Sequence, residues 1–402
     1  MKVLFISLGR LENIDMPGIY TDLMREMRDN GHDVYVVSSR ERRLNQSTTL
    51  ENQSGIHILK VKTGNIKNTN IIEKGLSTLL IEYNFLKAIK HNLANVKFDL
   101  VLYSTPPITF EKVVTYIKKR DNATSYLLLK DIFPQNAVDL NMFKENSLIH
   151  SFFKKKEKKL YEISDYIGTM SPANSDYILS NNPEIDPSTI EVCPNTITPI
   201  DINISIEEKT RLRKKYNIPT NKILYIYGGN LGKPQGIEFL IECLKKNEQN
   251  TETFILIVGS GTEFKKLKNY FDIYKPQNSK LMNALPKEEY DTLANSADVG
   301  LIFLDHKFTI PNFPSRLLSY MQASLPIIAA TDKNTDIGKI IEENKMGFWN
   351  ESTDVEGFNE KILKFTDKSL RDKYGRNAIN YLNENYTTKI AFEIIMNRMK
   401  RG

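Results

Sequence analysis

Short apolar runs alternate with amphipathic helical patterns along the whole chain, and the series starts afresh near residue 222. The first series reads KVLFIS (2–7), a helix near 18–30, DVYVVSS (33–39), GIHILKV (55–61), a helix near 72–91, DLVLYS (99–104), a helix near 108–120, TSYLLL (124–129), a helix near 146–163, DYIGTMS (165–171), a short helix near 173–181 and TIEVCPN (189–195). The second reads KILYIYG (222–228), FILIVGS (254–260), KLMNAL (280–285), DVGLIFL (298–304) and LPIIAA (325–330), with helices between them and a helical tail beyond about 355. Strands that alternate with helices make parallel sheets covered on both faces. Two such series in 402 residues, too many for one typical core, predict an α/β protein of two doubly wound domains. The Pro- and Asn-rich stretch PNTITPIDIN, residues 194–203, is the candidate boundary. A first domain is expected over 1–197, joined by a C-terminal helix 385–402, and a second over 198–384.

Composition narrows the class. Hydrophobic content of 40% and charged content of 26% are those of a globular protein. No apolar run is long enough to span a membrane, and MKVLFISLGR reads as a first strand rather than a signal peptide. Two cysteines, Cys193 and Cys243, are too few for a disulfide framework, and no metal-ligand spacing occurs. The net charge of +6 is too small to argue for nucleic acid. A cytoplasmic, metal-free protein is expected.

The charge is uneven, however. Lys154, Lys155, Lys156, Lys158 and Lys159 crowd the segment SFFKKKEKKLYEIS, beside Phe152 and Phe153. Either this is a solvated helix face, or the two phenylalanines enter an anionic membrane surface while the lysines meet its headgroups.

The opening of the second series carries chemistry. In YIYGGNLGKPQGIEFLIECL (225–244) an apolar strand ends in glycines, and a loop without acidic residues leads to a helix with apolar positions 237, 240, 241 and 244. Gly228, Gly229 and Gly232 allow backbone to approach an anion. The helix N-terminus is expected to face that anion with its free N–H groups, and Lys233 adds charge. An ordinary strand-to-helix loop is the alternative.

In order along the chain, YGGNLGKPQG, IVGSGTEFKKL, ALPKEEYDTLANSADVGLIFL and IPNFPSRLLSYMQASLPIIAA resemble the donor half of family 4 (group 1) glycosyltransferases of the GT-B fold. LVLYSTPP (100–107) and LLLKDIFPQNAVDL (127–140) are similar to signatures of a subgroup that builds bacterial capsule and O-antigen repeat units. The resemblance implies two Rossmann-like domains facing across a cleft. It implies transfer of a sugar, with retention, from a nucleotide diphosphate donor, UDP-linked, to a hydroxyl of a polyprenyl-diphosphate-linked glycan. An N-acetylated amino sugar or a derivative is the expected sugar. No cofactor is implied, and the enzyme would sit peripherally on the inner face of the cell membrane.

Carried over by position, Gly229, Asn230, Lys233 and Gln235 fall in the diphosphate loop, with Arg316 and Ser315 in PSRLL beside it. Arginine grips two phosphate oxygens at once. Gly259 and Gly261 form a second close-approach turn, and Asn283, Ala284 and Leu285 fall where backbone pairs with the base. Pro311 and Ser319 replace two glutamates common in the family, so Ser319 is left to bond the ribose. Asp131, ending the strand TSYLLLKD, is the candidate to accept or orient the acceptor's hydroxyl proton; capping the turn that follows is the alternative. Gly18, Ser104 and His306 are acceptor or loop candidates, and His32 reads as structural. Two other activities stay open: a nucleotide-sugar epimerase on the same fold, and a non-catalytic sugar-nucleotide-binding partner.

Overall fold

A computed structural model describes residues 1–9, 11–66, 71–200 and 204–400. Residues 201–203 of the candidate boundary, and 401–402 of the expected C-terminal helix, lie outside the described residues. The chain divides into two units, Met1–Thr198 with Thr387–Gly402, and Pro199–Tyr386.

The first unit holds the strands β1 (Lys2–Ser7), β2 (Asp33–Glu41), β3 (Thr49–Gln53), β4 (Ile56–Thr63), β5 (Leu100–Ser104), β6 (Thr124–Leu128), β7 (Tyr166–Thr169) and β8 (Ile190–Val192). They form one sheet in the order β3-β4-β2-β1-β5-β6-β7-β8. All pairs are parallel except β3 with β4. Its helices are α1 (Ile19–Asp29), α2 (Ile71–Asn92), α3 (Glu111–Asp121), α4 (Gln135–Asp139), α5 (Leu148–Glu162) and α6 (Pro172–Asn181). The central strands are buried along their length because helices cover both faces. Edge strand β3, TLENQ, alternates half-buried with exposed residues, and that polar composition hides it in the sequence.

The second unit starts at α7 (Ile206–Lys215). Its strands are β9 (Ile223–Asn230), β10 (Thr253–Ser260), β11 (Ser279–Asn283), β12 (Val299–Phe303), β13 (Ile327–Thr331) and β14 (Gly347–Glu351). Its other helices are α8 (Ile237–Asn247), α9 (Phe264–Tyr274), α10 (Lys287–Ala294), α11 (Arg316–Gln322), α12 (Ile337–Glu343), α13 (Val355–Lys364) and α14 (Lys368–Asn385). The sheet runs β11-β10-β9-β12-β13-β14, wholly parallel. Strand order reverses between β9 and β12, the switch point outside which open α/β sheets bind ligands. Beyond α14 the chain returns to the first unit as α15 (Thr388–Met399), where Ala391 and Ile395 join the cluster of Val3, Phe5, Met24 and Met27.

Candidate functional site

At the switch point of the second unit the chain builds a guanidinium cage. Arg316 opens α11, and its guanidinium carbon lies 4.2 Å from the centre of the Tyr227 ring. Tyr227 itself is tied down, its hydroxyl donating to the Asn230 carbonyl at 2.8 Å. Behind the arginine, the Tyr320 hydroxyl donates to the Ile226 carbonyl (3.1 Å) and accepts from the Gly228 N–H (3.3 Å). Tyr290 packs against Gly228 so closely that a Cβ there would lie 2.0 Å from its ring. Gly229, at φ 127°, faces the arginine, with the position of a Cβ 3.2 Å from Nη2. Nη1 of Arg316 is buried and has no hydrogen-bond partner among the described residues. A half-buried arginine whose buried Nη1 is an unfilled donor, held over an aromatic face, is arranged to take an oxyanion.

The rest of the loop divides into lining and scaffold. Lys233 is exposed, with no ion-pair partner among the described residues, and projects from a 3-10 turn, Lys233–Gln235. Gln235 turns inward instead. Its Oε1 accepts from the Gly232 N–H (3.1 Å) and from Asn230 Nδ2 (3.0 Å), so it clasps the loop and that oxygen is not offered to a ligand. Gly259 and Gly261 are also scaffold. A Cβ on Gly259 would stand 2.1 Å from the Gly229 carbonyl oxygen, and one on Gly261 2.3 Å from that of Leu231. The second glycine turn therefore supports the first from beneath.

The N-terminus of α8 follows the glycine loop through a short connection. The 3-10 turn, with Pro234 inside it, and left-handed Gly236 (φ 55°) intervene. Gly236, Glu238 and Phe239 then line an open pocket of about 650 Å³ together with His306 and Lys307, and Arg316 is not among its lining residues. His306, 48% exposed at its side chain, lies 3.5 Å from Asp305. The structure thus groups it with the start of α8 and not with the arginine cage.

Asn283 and Ala284 are exposed and Leu285 half-buried where β11 ends. Ser315 precedes Arg316, and Ser319, half-buried, stands three residues further along α11. Pro311 is buried.

In the first unit, Asp131 lies just past β6. Its Oδ1 accepts from Asn136 Nδ2 at 2.7 Å, and its N–H donates to Thr105 Oγ1 at 3.1 Å. Burial pushes the carboxyl up to about 6, while the Asn136 and Ile132 hydrogen bonds pull the other way. Its neighbour Lys130, which the sequence patterns did not single out, donates to the Cys193 carbonyl at 2.8 Å, and burial brings it down to about 8. Two perturbed groups side by side at the C-terminal edge of a sheet make a candidate site. The signal that finds Lys130 is its position in TSYLLLKD, one residue before the aspartate at the strand's end.

Ser104 is corrected: it is 1% exposed and bonded to the Tyr20 hydroxyl, so it is packing rather than a free acceptor contact. Gly18 lines an open pocket of about 520 Å³ with Met16 and Tyr20. Its N–H donates to buried Asp22 at 2.9 Å. His32 packs tilted against Phe392 of α15, ring centres 5.8 Å apart, a structural place.

The lysine-rich helix α5 differs from the expectation in two ways. Phe153 is half-buried against Phe133, ring centres 4.9 Å apart, and does not protrude. Most lysines are paired: Lys154 with Glu157 (2.7 Å), Lys156 and Lys159 with Glu111 (3.3 and 3.6 Å), and Lys158 with Glu184 (3.2 Å). Lys155 alone of the five has no ion pair among the described residues, and Phe152 stays exposed at 43%.

Known proteins share this architecture. The two Rossmann-like units form the GT-B fold, seen in sucrose-phosphate synthase of Thermosynechococcus elongatus (TM-score 0.75, 14% identity, 100% of this chain and 98% of that one). HepE of Anabaena, solved with UDP and glucose, is also similar (TM-score 0.70, 15% identity, 100% of both chains). Residues 208–381, inside the second unit, match the family model for glycosyl transferases group 1. The probable glycosyltransferase WbjE of Pseudomonas aeruginosa is 24% identical over 284 residues, 70% of this chain and 68% of that protein. An uncharacterized glycosyltransferase of Methanocaldococcus jannaschii is 24% identical over 321 residues, 74% and 77%.

Proposed function

We propose that the protein is a glycosyltransferase whose second unit holds a nucleotide diphosphate sugar and whose first unit holds the hydroxyl that receives the sugar. The observation that carries this reading is Arg316, fixed over Tyr227 with Nη2 beside Gly229 and a buried Nη1 that has no hydrogen-bond partner among the described residues. As the bond from the anomeric carbon to the diphosphate breaks, negative charge grows on the leaving oxygen. Arg316 and Lys233 are the cations placed to meet it, and a preorganised donor in a water-poor site stabilises such charge more than an exposed one does. Asp131 orients the acceptor hydroxyl. Its oxygen bonds to the anomeric carbon while its proton passes to the carboxylate or to the departing phosphate oxygen.

A UDP-linked donor is supported by HepE, solved with UDP and glucose, and by a trehalose-6-phosphate enzyme of E. coli bound to UDP-2-fluoro glucose. Work in the synthesis of a capsule or other surface polysaccharide is supported by the putative colanic acid biosynthesis glycosyl transferase WcaI of E. coli, 25% identical over 134 residues; the lipid-linked acceptor rests on the family resemblance. Retention of anomeric configuration and an N-acetylated amino sugar complete the proposal. They rest on the family resemblance.

The test is product analysis with labelled UDP-sugars and a lipid-linked glycan acceptor. Label moving to the acceptor supports transfer, a free epimer means an epimerase, and binding without turnover means a non-catalytic partner. Arg316→Ala should weaken UDP binding by about ten- to a hundredfold, the range for losing a charge-assisted hydrogen bond. Unchanged affinity in a folded variant removes Arg316 from the site.

A further inference from the structure

Helices α2, α3 and α5 pack side by side on the first unit. The Glu82 carboxylate of α2 accepts from the Lys112 N–H of α3 at 2.6 Å, and Lys156 of α5 reaches Glu111 of α3 at 3.3 Å. Phe85 and Phe110 meet beneath them, ring centres 5.2 Å apart. Together the three helices carry twelve Lys or Arg against six Asp or Glu, so their excess of +6 equals the net charge of the entire chain. Three of the six acidic groups are drawn inward, Glu82 and Glu157 buried and Glu111 half-buried between two lysines, while Glu162 at the end of α5 is exposed. Lys87, Lys112, Lys119 and Lys155 are exposed, with no ion-pair partner among the described residues. The layer turns its unneutralised charge outward.

The same layer exposes large apolar side chains where α5 begins. Leu148 is 91% exposed, Ile149 56% and Phe152 43%, and Met142, just before the helix, is 63% exposed. Ser147 caps the helix by accepting from the His150 N–H, so this tip is ordered rather than frayed. On α2, Leu80 and Tyr83 are exposed beside Lys87 and Lys90. Several large apolar side chains left in water within one layer are costly unless something covers them. A layer that carries both exposed apolar side chains and unpaired lysines fits a surface that is anionic outside and apolar within.

We propose that the α2–α3–α5 layer is a docking surface for an anionic lipid bilayer, with Leu148, Ile149, Phe152 and Met142 as the wedge and Lys87, Lys112, Lys119 and Lys155 as headgroup contacts. The inference deepens the proposal above, whose acceptor is lipid-linked, and relocates the contact from the lysine run of α5 to its N-terminal tip. No helix among the described residues is long and apolar enough to cross a membrane. Docking takes two signals together, since a few shallow apolar groups and a few lysines are each weak alone.

The test is flotation of the whole chain with phosphatidylcholine vesicles, with and without phosphatidylglycerol. The wild type should float with the anionic vesicles, less so at high salt, and not with the neutral ones. Leu148→Ser with Phe152→Ser should abolish flotation at low salt. Lys87→Glu, Lys119→Glu and Lys155→Glu together should weaken it on the order of a hundredfold. All these side chains are exposed, so the variants are expected to fold, and UDP binding by each checks this. Flotation unchanged by the serine pair, failure of the wild type to float, or equal binding of a random RNA that the serine pair does not disturb would each overturn the proposal. The two proposals separate cleanly. Flotation without sugar transfer overturns the transferase and leaves the docking surface standing; transfer to a lipid-linked acceptor without flotation does the reverse.

Discussion

Asp131 holds its proton more tightly than an exposed aspartate, because burial lifts it from 3.8 to about 6 against two opposing hydrogen bonds. Between those two values the folded chain keeps a proton that the unfolded chain has released, so stability falls as pH rises through this window and the cost persists at neutral pH. Asp131→Asn keeps an acceptor for Asn136 and removes the buried charge. The variant should melt higher than wild type near neutral pH, with the gap closing as pH falls below about 6, while transfer collapses and UDP binding persists. A thermal-melt series across pH, run beside an activity assay, checks both halves. A variant that keeps full activity leaves Asp131 only a turn-capping role. The aspartate was legible in the sequence because it closely follows an apolar strand. The tyrosines around Arg316 were not, because Tyr227, Tyr290 and Tyr320 come from three separate elements. Each reads on its own as a core aromatic. Ser104 misled for the converse reason: a serine ending a strand looks available until Tyr20, from α1, is seen to cover it.

Among the elements, the paired glycine turns after β9 and β10 make one rigid object. Gly259→Ala would drive a methyl to 2.1 Å from the Gly229 carbonyl oxygen, a contact with backbone that no side-chain rotation relieves. A destabilisation of about 1–3 kcal/mol is expected, as for an overpacked core. UDP affinity should fall with it, because the displaced loop is the one facing Arg316. Urea unfolding and nucleotide titration measure the two effects, and a variant with wild-type values in both would show that the loop yields freely. The strands themselves were legible nearly residue by residue, since buried parallel strands are continuous apolar runs. Both missed strands, β3 and β14, lie at sheet edges. There one side is unpaired and the sequence, TLENQ or GFWNE, is mixed. Helical periodicity gave α5 its lysine face but not the partners of those lysines. Glu111 and Glu184 stand tens of residues away, and only the packing of separate helices brings them near.

At the scale of the molecule, the alternation of strands and helices was enough to foresee two Rossmann-like domains, because each crossover must lay a helix on a sheet face. The first unit is nevertheless made of two stretches of chain. Thr387 bridges to Ile197, Thr388 donates its N–H to the Ile197 carbonyl at 3.0 Å, and Ala391 and Ile395 fill the core over β1 and β2. Ile395→Ala should remove buried methyl groups from that core at a cost of roughly 2–5 kcal/mol. Proteolysis should then open the first unit, while the second keeps its resistance and its affinity for UDP. Equal loss in both units would mean that they unfold as one. Synthesis runs from the N-terminus, so the ribosome releases the first unit's sheet long before it makes α15, with the second unit in between. The usual order, in which an N-terminal domain folds first, is reversed for closure. Until Ile395 emerges, Val3, Phe5 and Met24 lack part of their cover, and the nascent chain carries a finished second unit beside an unfinished first one.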